Sequence, residues 1–404
     1  MKNTLKVLTL LIIFILEIIL VSSCSSKIIN ENRYIEGQDY QFFYYSDTNV
    51  GPMAESEEGY YFFCGNYLFF ADKASMHPIL VCNKPNCLHY EETDPTKTLY
   101  CNAFFERPKS LFYYNKSLYI FVSRITTAHE SEFLKVSPDG TRRKSLFKID
   151  GSISAAALHR GVVYYSNQVW DANGQTIVSV NSTTLKGKSK EIYKEKFIHG
   201  NIDDIICYGN YVFFDSFDIT ESGIYNKMLK YNIQTGETEA ISDNQKMVSF
   251  DMPSFINSKM YYRITKLNPD LSLDHQEAFM ADIDGSNVNK TFDLGFPVEV
   301  RSDGQYLYSR DIEWSPFSKP ADEQELIIYT FEGEVVDRVH TGSFGEIQSL
   351  IPGGKDHLFL QQADGDFLRI YYAEKSKIST GNMEWKLLIE TEREKMYPLV
   401  VRTS

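Results

Sequence analysis

The feature that most constrains this chain is a recurrence. A short apolar strand, a tight turn rich in Gly, Asn or Lys, and a second strand dense in Tyr and Phe return seven times, as in "SLFYYNKSLYIFVS" (Ser110 to Ser123) and "DIICYGNYVFFDS" (Asp204 to Ser216). Marking each second strand at Tyr67, Leu118, Val162, Tyr211, Met260, Tyr306 and Leu358 gives spacings of 44 to 52 residues. Third and fourth strands follow, often across an Asp-Gly turn, as in "FLKVSPDGTRRKSLFKI" (Phe133 to Ile149). Four strands repeated at this period predict the blades of an all-β propeller, seven in number, with six or eight as the neighbouring counts. One such blade cannot hide its aromatic rows alone, so stacking into a ring is the physical solution. The 27 Tyr and 27 Phe suit pleated faces that must be filled.

Closure of the ring predicts a clasp, one blade completed from both chain ends. "QDYQFFYY" (Gln38 to Tyr45) and "YPLVV" (Tyr397 to Val401) are its candidate strands. The Asp-Gly turns, "DIDGSN" (Asp282 to Asn287) among them, place glycine at the fourth position and not at the sixth that a helix-loop-helix calcium loop needs, so they read as hairpin turns.

The amino terminus has the three parts of a secretory signal: Lys2 and Lys6, an apolar run from Val7 to Val21 interrupted by Glu17, then Ser22 and Ser23. The run is too short and too interrupted for a comfortable membrane span. "VSSC" resembles the lipobox of bacterial lipoproteins, which implies acylation of Cys24 and cleavage before it. The division is then a signal peptide over 1–23, a lipidated tether over 24–37 and one propeller domain over 38–404. Losing two lysines and one glutamate takes the net charge from −13 to −14, so electrostatics disfavours nucleic acid and the lipid must do the attaching. The expected location is the extracytoplasmic face of the cell membrane.

The tandem units with aromatic second strands and "PDG" or "IDG" turns resemble TolB-like and low-density-lipoprotein-receptor-type propellers, and the mature chain resembles uncharacterised bacterial lipoproteins that carry such a domain. The likeness spans roughly residues 50 to 400 and speaks for fold, since propellers host unrelated functions.

One segment breaks the rhythm: "VCNKPNCLHYEETDPTKTLYCNAFF" (Val81 to Phe105), expected between the third and fourth strands of the first blade. Cys82 is expected to end one strand and Cys101 to begin the next. Cys82, Cys87, His89 and Cys101 form a complete donor set for a closed, structural zinc, one with no open position for substrate. Outside the cytoplasm cysteines normally pair, so a disulfide, Cys82 with Cys101 or with Cys87, is the competing expectation, and unpaired thiols the third. With Cys24 lipidated, five cysteines remain, and Cys64 and Cys207 fall within first strands as buried apolar residues.

No G-x-S-x-G elbow, phosphate loop or H-E-x-x-H pair occurs. The histidines His77, His129, His159, His199, His275, His340 and His357 share no offset between units, and no catalytic residue is assigned. The sequence therefore predicts a lipid-anchored module that binds or scaffolds a protein or glycan at the cell surface, with Asn83 to Tyr100 and Leu267 to Glu277 as candidate contact loops. The alternative is a propeller hydrolase or lyase acting on surface polysaccharide, whose carboxylate pair would be set by spatial separation.

Overall fold

A computed structural model describes residues 31–402, except 46–50, 93, 95–96, 98–99, 125–129, 173, 243–244, 271, 296–297, 312–319, 321–322, 342–346, 365–366 and 393–400. Cys24 and the signal-like segment lie outside the described residues, as does His129.

The chain is a seven-bladed β-propeller, almost without helix. Antiparallel sheets over 53–80, 108–150, 156–197, 200–246, 248–290, 298–340 and 347–402, blades 1 to 7, follow one another in chain order. Blade 3 shows the pattern: Ala156–His159, Val162–Trp170, Thr176–Thr184 and Ser189–Phe197 pair in sequence order from the axis outward. In blades 4 and 5 the inner strand is broken in two, with both pieces on the same neighbour. The cores lie between blades, where both faces of each sheet need apolar side chains. Phe133, on blade 2, packs on Phe121 and Phe147, and these two meet Tyr165 of blade 3.

Blade 1 corrects the alignment read from sequence. Met53–Glu55 pairs with Gly59–Cys64 as an additional inner strand, so Gly59–Cys64 and Tyr67–Asp72 are second and third strands, and Pro78–Leu80 is the fourth. Second strands then begin at Gly59 and Ser117 in blades 1 and 2, a difference of 117 − 59 = 58 residues. The cysteine segment makes that interval long. Leu267 to Glu277 is also corrected: Lys259–Leu267 and Leu273–Asp282 run through most of it as paired strands.

The clasp is absent among the described residues. Each sheet is built from consecutive strands, and Val401–Arg402 adds a fifth, outermost strand to blade 7. Gln38 to Tyr45 forms no strand. The run "YQFFYY" lacks the alternation of a strand with one wet face, and Tyr40 and Phe42 to Tyr45 are all buried. It crosses the channel with one short 3-10 turn, Phe42–Tyr44, and touches all seven blades. Gln41 exchanges two hydrogen bonds with the Glu55 backbone, at 2.8 and 3.0 Å. Tyr40 meets Phe112. His159 and Arg160 bind Tyr40 and Asp39. Phe42 packs on Tyr208 and Phe255, each at 5.5 Å between centroids. Arg301 lies over the Tyr45 ring, and the Gly353 N–H donates to the Phe43 carbonyl at 3.1 Å. An axle replaces the clasp.

Blades 1 and 7 also meet directly. Tyr60 shares a 2.8 Å hydrogen bond with His357 and packs on Phe359, and the Cys64 thiol lies 3.2 Å from the Thr391 hydroxyl.

The axle contains a pH-sensitive contact. His159, fully buried, accepts the Tyr40 N–H at Nδ1 and faces the Gly209 carbonyl at 2.8 Å with Nε2, which must therefore carry the proton. Burial lowers its pKa to about 4, with Asp39 opposing that and Arg160 reinforcing it. The unfolded chain titrates near 6.5 and binds more protons between these values, so stability is full above about pH 6.5 and falls as pH drops toward 4. The loss should reach about 3 kcal/mol. His357, also lowered by burial, adds to it with the same sign. Urea unfolding midpoints followed from pH 7 to 4.5 test this. The slope should be reduced in His159→Gln, and an equal slope in both proteins would refute the assignment.

Candidate functional site

The segment that broke the repeat lies one strand later than expected, in the crossover from blade 1 to blade 2. Cys82 follows the outer strand Pro78–Leu80, and Cys101 precedes a turn that places Phe104 beside Tyr67 and not the start of a strand. Tyr67 is the outer face's anchor here: its hydroxyl donates to the His89 carbonyl at 2.5 Å. Asn86 and His89 adopt left-handed backbone, φ 57° and 56°, which curls the chain back so that Cys87 and His89 face Cys82 and Cys101.

The three sulfurs and the imidazole lie within 4.8 Å of one another, and the thiols are unbonded to each other. His89 Nδ1 is 3.3 Å from Cys101 Sγ. A tetrahedral metal with sulfur ligands at about 2.3 Å would separate its donors by about 3.7 Å, so the cluster has the size of a coordination shell. Burial works to raise the Cys82 thiol, but the N–H groups of Lys84 and Asn102 and the neighbouring thiols outweigh it and hold it below the usual range. The Cys101 thiol is pushed up to about 12, by burial first, against the Ala103 N–H 3.4 Å away. The N–H two residues beyond each of these cysteines thus faces its sulfur, an arrangement that stabilises thiolate charge. Burial holds His89 below its ordinary pKa and so neutral, the form that binds metal. These residues could hold a metal such as zinc.

Arg143, on the outer strand of blade 2, locks the crossover. Its guanidinium donates to the carbonyls of Cys101 at 3.4 Å, Phe104 at 2.8 Å and Asn102, and stacks 3.6 Å over the Phe105 ring. Nothing in "DGTRRKSLF" separates Arg143 from Arg142, so sequence reading missed it. Cys64 and Cys207 are buried apart from this cluster, and burial raises both thiols, Cys64 to about 11.

A second feature lies at the axial mouth. On the face where inner strands turn into second strands, a basin of about 1610 Å³ is walled by the turns of blades 1, 2, 5, 6 and 7 and floored by the axle, with Tyr34, Tyr113, Tyr114, Tyr306 and Tyr372 along it. All five rings are partly exposed. Four of its acids are closely engaged, while Glu57 and Glu36 are exposed, Glu36 at 3.9 Å from Lys355. Glu55 binds Lys73 and the Tyr44 hydroxyl, Asp356 lies 3.1 Å from Lys73, Glu374 is 2.8 Å from Lys386, and Asp303 binds Lys375 and accepts the Tyr308 hydroxyl at 2.6 Å. His357 is bonded to Tyr60. The arrangement offers aromatic faces and fixed, mutually neutralised charge, which suits binding better than proton transfer.

No protein-family model matches this sequence, and no curated protein matches it either. Solved structures do. The β-propeller domain of the Trilobed protease from Pyrococcus furiosus, described as having an open velcro topology, is similar at TM-score 0.51 and 9% identity, over 74% of this chain and 92% of that one. A prolyl endopeptidase is similar at TM-score 0.51 and 12% identity, over 80% of this chain but 46% of that one. An oligogalacturonate lyase in complex with manganese gives TM-score 0.47 and 11% identity, over 81% and 87%. Propeller neighbours thus include peptidases and a lyase. At these identities the likeness shows the fold alone. Among the described residues no helix is long and apolar enough to cross a membrane.

Proposed function

We propose that the protein is a binding module held by lipid on Cys24 at the outer side of a bacterial membrane, with the axial basin as its ligand site and a structural zinc in the crossover between blades 1 and 2. The observation that carries the reading is the basin: a wide opening with partly exposed tyrosine rings, whose inner carboxylates Glu55, Asp303, Asp356 and Glu374 are matched by lysines or hydroxyls. Tyrosine rings present flat apolar faces with a polar edge, the surface that sugars and peptides stack upon. A hydrolase or lyase would need an acid and base held over its substrate, and the basin's inner groups Glu55, Asp303, Asp356, Glu374 and His357 are committed to lysine or tyrosine partners, while its other carboxylates Glu36 and Glu57 are exposed to solvent. The ligand class is therefore a glycan or a protein segment, and nucleic acid is disfavoured by a net charge of −13.

Zinc is supported by the donor set alone. Cys82, Cys87, His89 and Cys101 would supply all four ligands, leaving no position for substrate, so the metal would act as a staple.

Two measurements test the reading. Cells expressing Cys24→Ala should incorporate no labelled palmitate into the protein and release it from the membrane fraction, and unchanged labelling would remove the anchor. Calorimetric titration with soluble cell-wall oligosaccharides and peptides should show binding that falls at least about 10-fold in the Tyr113→Ala/Tyr306→Ala double variant. Failure of every fragment to bind, or equal binding by the variant, would remove the basin.

A further inference from the structure

The face opposite the basin carries a second surface, at the far end of blades 3, 4 and 5. In blades 3, 4 and 5 both middle strands run nine or ten residues, Val162–Trp170 and Thr176–Thr184, Tyr211–Thr220 and Gly223–Asn232, Lys259–Leu267 and Leu273–Asp282. In the other four blades the described residues of these strands run five to eight. In these three blades the hairpins between the second and third strands close at the end away from the basin. At about 3.3 Å per residue, ten residues put that end about 33 Å from the basin face.

Apolar side chains lie at this end: Trp170 is 49% exposed, Ile198 46%, Ile219 46% and Leu273 36%. Backbone hydrogen bonds connect the segments that carry them. Trp170 and the residue before Ile198, Phe197, both pair with Thr176. Ile198 donates to Asp218, and the Ile219 N–H faces the His199 carbonyl. Ile219 pairs with Ile224, whose carbonyl accepts from Met247, whose own carbonyl accepts from Leu267, the partner of Leu273. Four exposed apolar side chains thus lie at the same end of three adjacent blades.

The charge beside them is acidic. Asp171, Asp218, Glu221, Asp270 and Asp274 border these segments, against Lys196, Lys246 and Lys266, and Lys196 is paired with Asp171 at 2.6 Å. Five carboxylates against three lysines leave an excess of two negative charges, on a chain of net −13. A second copy would bring like charge to like charge, whereas a basic partner would be drawn in. Asn32, where the propeller begins, lies against the turns at Gly209 and Ser258 on the opposite face.

We propose that this edge of blades 3 to 5 is a docking surface for a basic protein segment that presents apolar side chains. The probe is a 14-residue amphipathic helix-forming peptide of Leu and Lys, labelled for fluorescence anisotropy, with a Leu and Glu peptide of the same pattern as its counterpart. The full chain should bind the Lys peptide and not the Glu peptide. The charge-neutral triple variant Ile198→Ser/Ile219→Ser/Leu273→Ser should bind at least about 10-fold more weakly, and Ile79→Ser/Val335→Ser, which alters exposed apolar residues elsewhere, should bind as the parent does. Ile219→Ser alone, with a smaller loss, guards against a folding defect in the triple variant, and an unchanged unfolding midpoint checks this. Equal binding by the parent and the triple variant would overturn the proposal. So would equal binding of both peptides, or a dimer in sedimentation that the triple variant abolishes. Because Cys24→Ala protein can be used throughout, the result does not depend on the anchor.

Discussion

Phe42→Ala should destabilise the propeller by about 3–5 kcal/mol, the range for emptying a large, buried aromatic site. The ring has little room to relax into the void. Phe42 is 5% exposed and is held edge-on by Tyr34, Phe43, Tyr208 and Phe255, and Gly304 of blade 6 sits close enough that an added Cβ would lie 3.4 Å from its ring. Truncation therefore removes contacts to three blades at once. The Asp39–Arg160 pair beside it makes a second, independent test of the axle. Arg160 approaches both carboxylate oxygens, at 2.7 and 3.2 Å, and the Asp39 side chain is 1% exposed. Asp39→Ala would leave a buried guanidinium facing a hole and should cost a comparable amount. Urea unfolding gives both numbers. A loss below about 1 kcal/mol for Phe42→Ala would mean that direct contact of blades 1 and 7 closes the ring unaided.

Purified protein should contain one zinc per chain, and Cys101→Ser should contain none. Structural zinc in small peptides binds with apparent free energies of about 10–16 kcal/mol. Here the crossover is already fastened by Arg143 and Tyr67, so removal should loosen the segment around Cys82 to Cys101 without unfolding the ring. Chelation should thus expose this segment to protease while the far-ultraviolet spectrum stays unchanged. Thiol titration separates the competing expectations. With zinc, Cys82, Cys87 and Cys101 are all recovered as thiols after denaturation in chelator. Absence of zinc with two of the three oxidised would establish the disulfide and remove the metal.

Much of the fold was legible because its cause is periodic. Seven aromatic strand pairs at nearly constant spacing leave few architectures that bury them all, and the ring is the one observed. The register of blade 1 was not legible, because Met53–Glu55 is three residues long and carries no alternation. Without that strand the cysteine segment slid to the wrong side of Pro78–Leu80. The axle was misread for a related reason. An unbroken aromatic run looks like a strand to any rule based on propensity, and only the surrounding channel shows that every side of it is buried. Of the crossover, the donor residues stood out by type and spacing. Arg143 did not, since its role depends on carbonyls some forty residues earlier in the chain. The basin was invisible for the same reason: its walls come from turns of five blades, and its ion pairs join residues such as Asp303 and Lys375, 72 positions apart.

The axle also sets a kinetic order. It is among the first parts of the propeller to leave the ribosome, yet its seat includes Gly354, 310 positions downstream, whose N–H faces the Tyr44 hydroxyl. Until blade 7 exists, five aromatic residues within six positions have no finished home, and loop closure over such a distance is slow. A nascent chain of this design needs its sticky leading edge shielded for most of synthesis, so cells lacking a holding chaperone should accumulate aggregates of it before they accumulate misassembled rings.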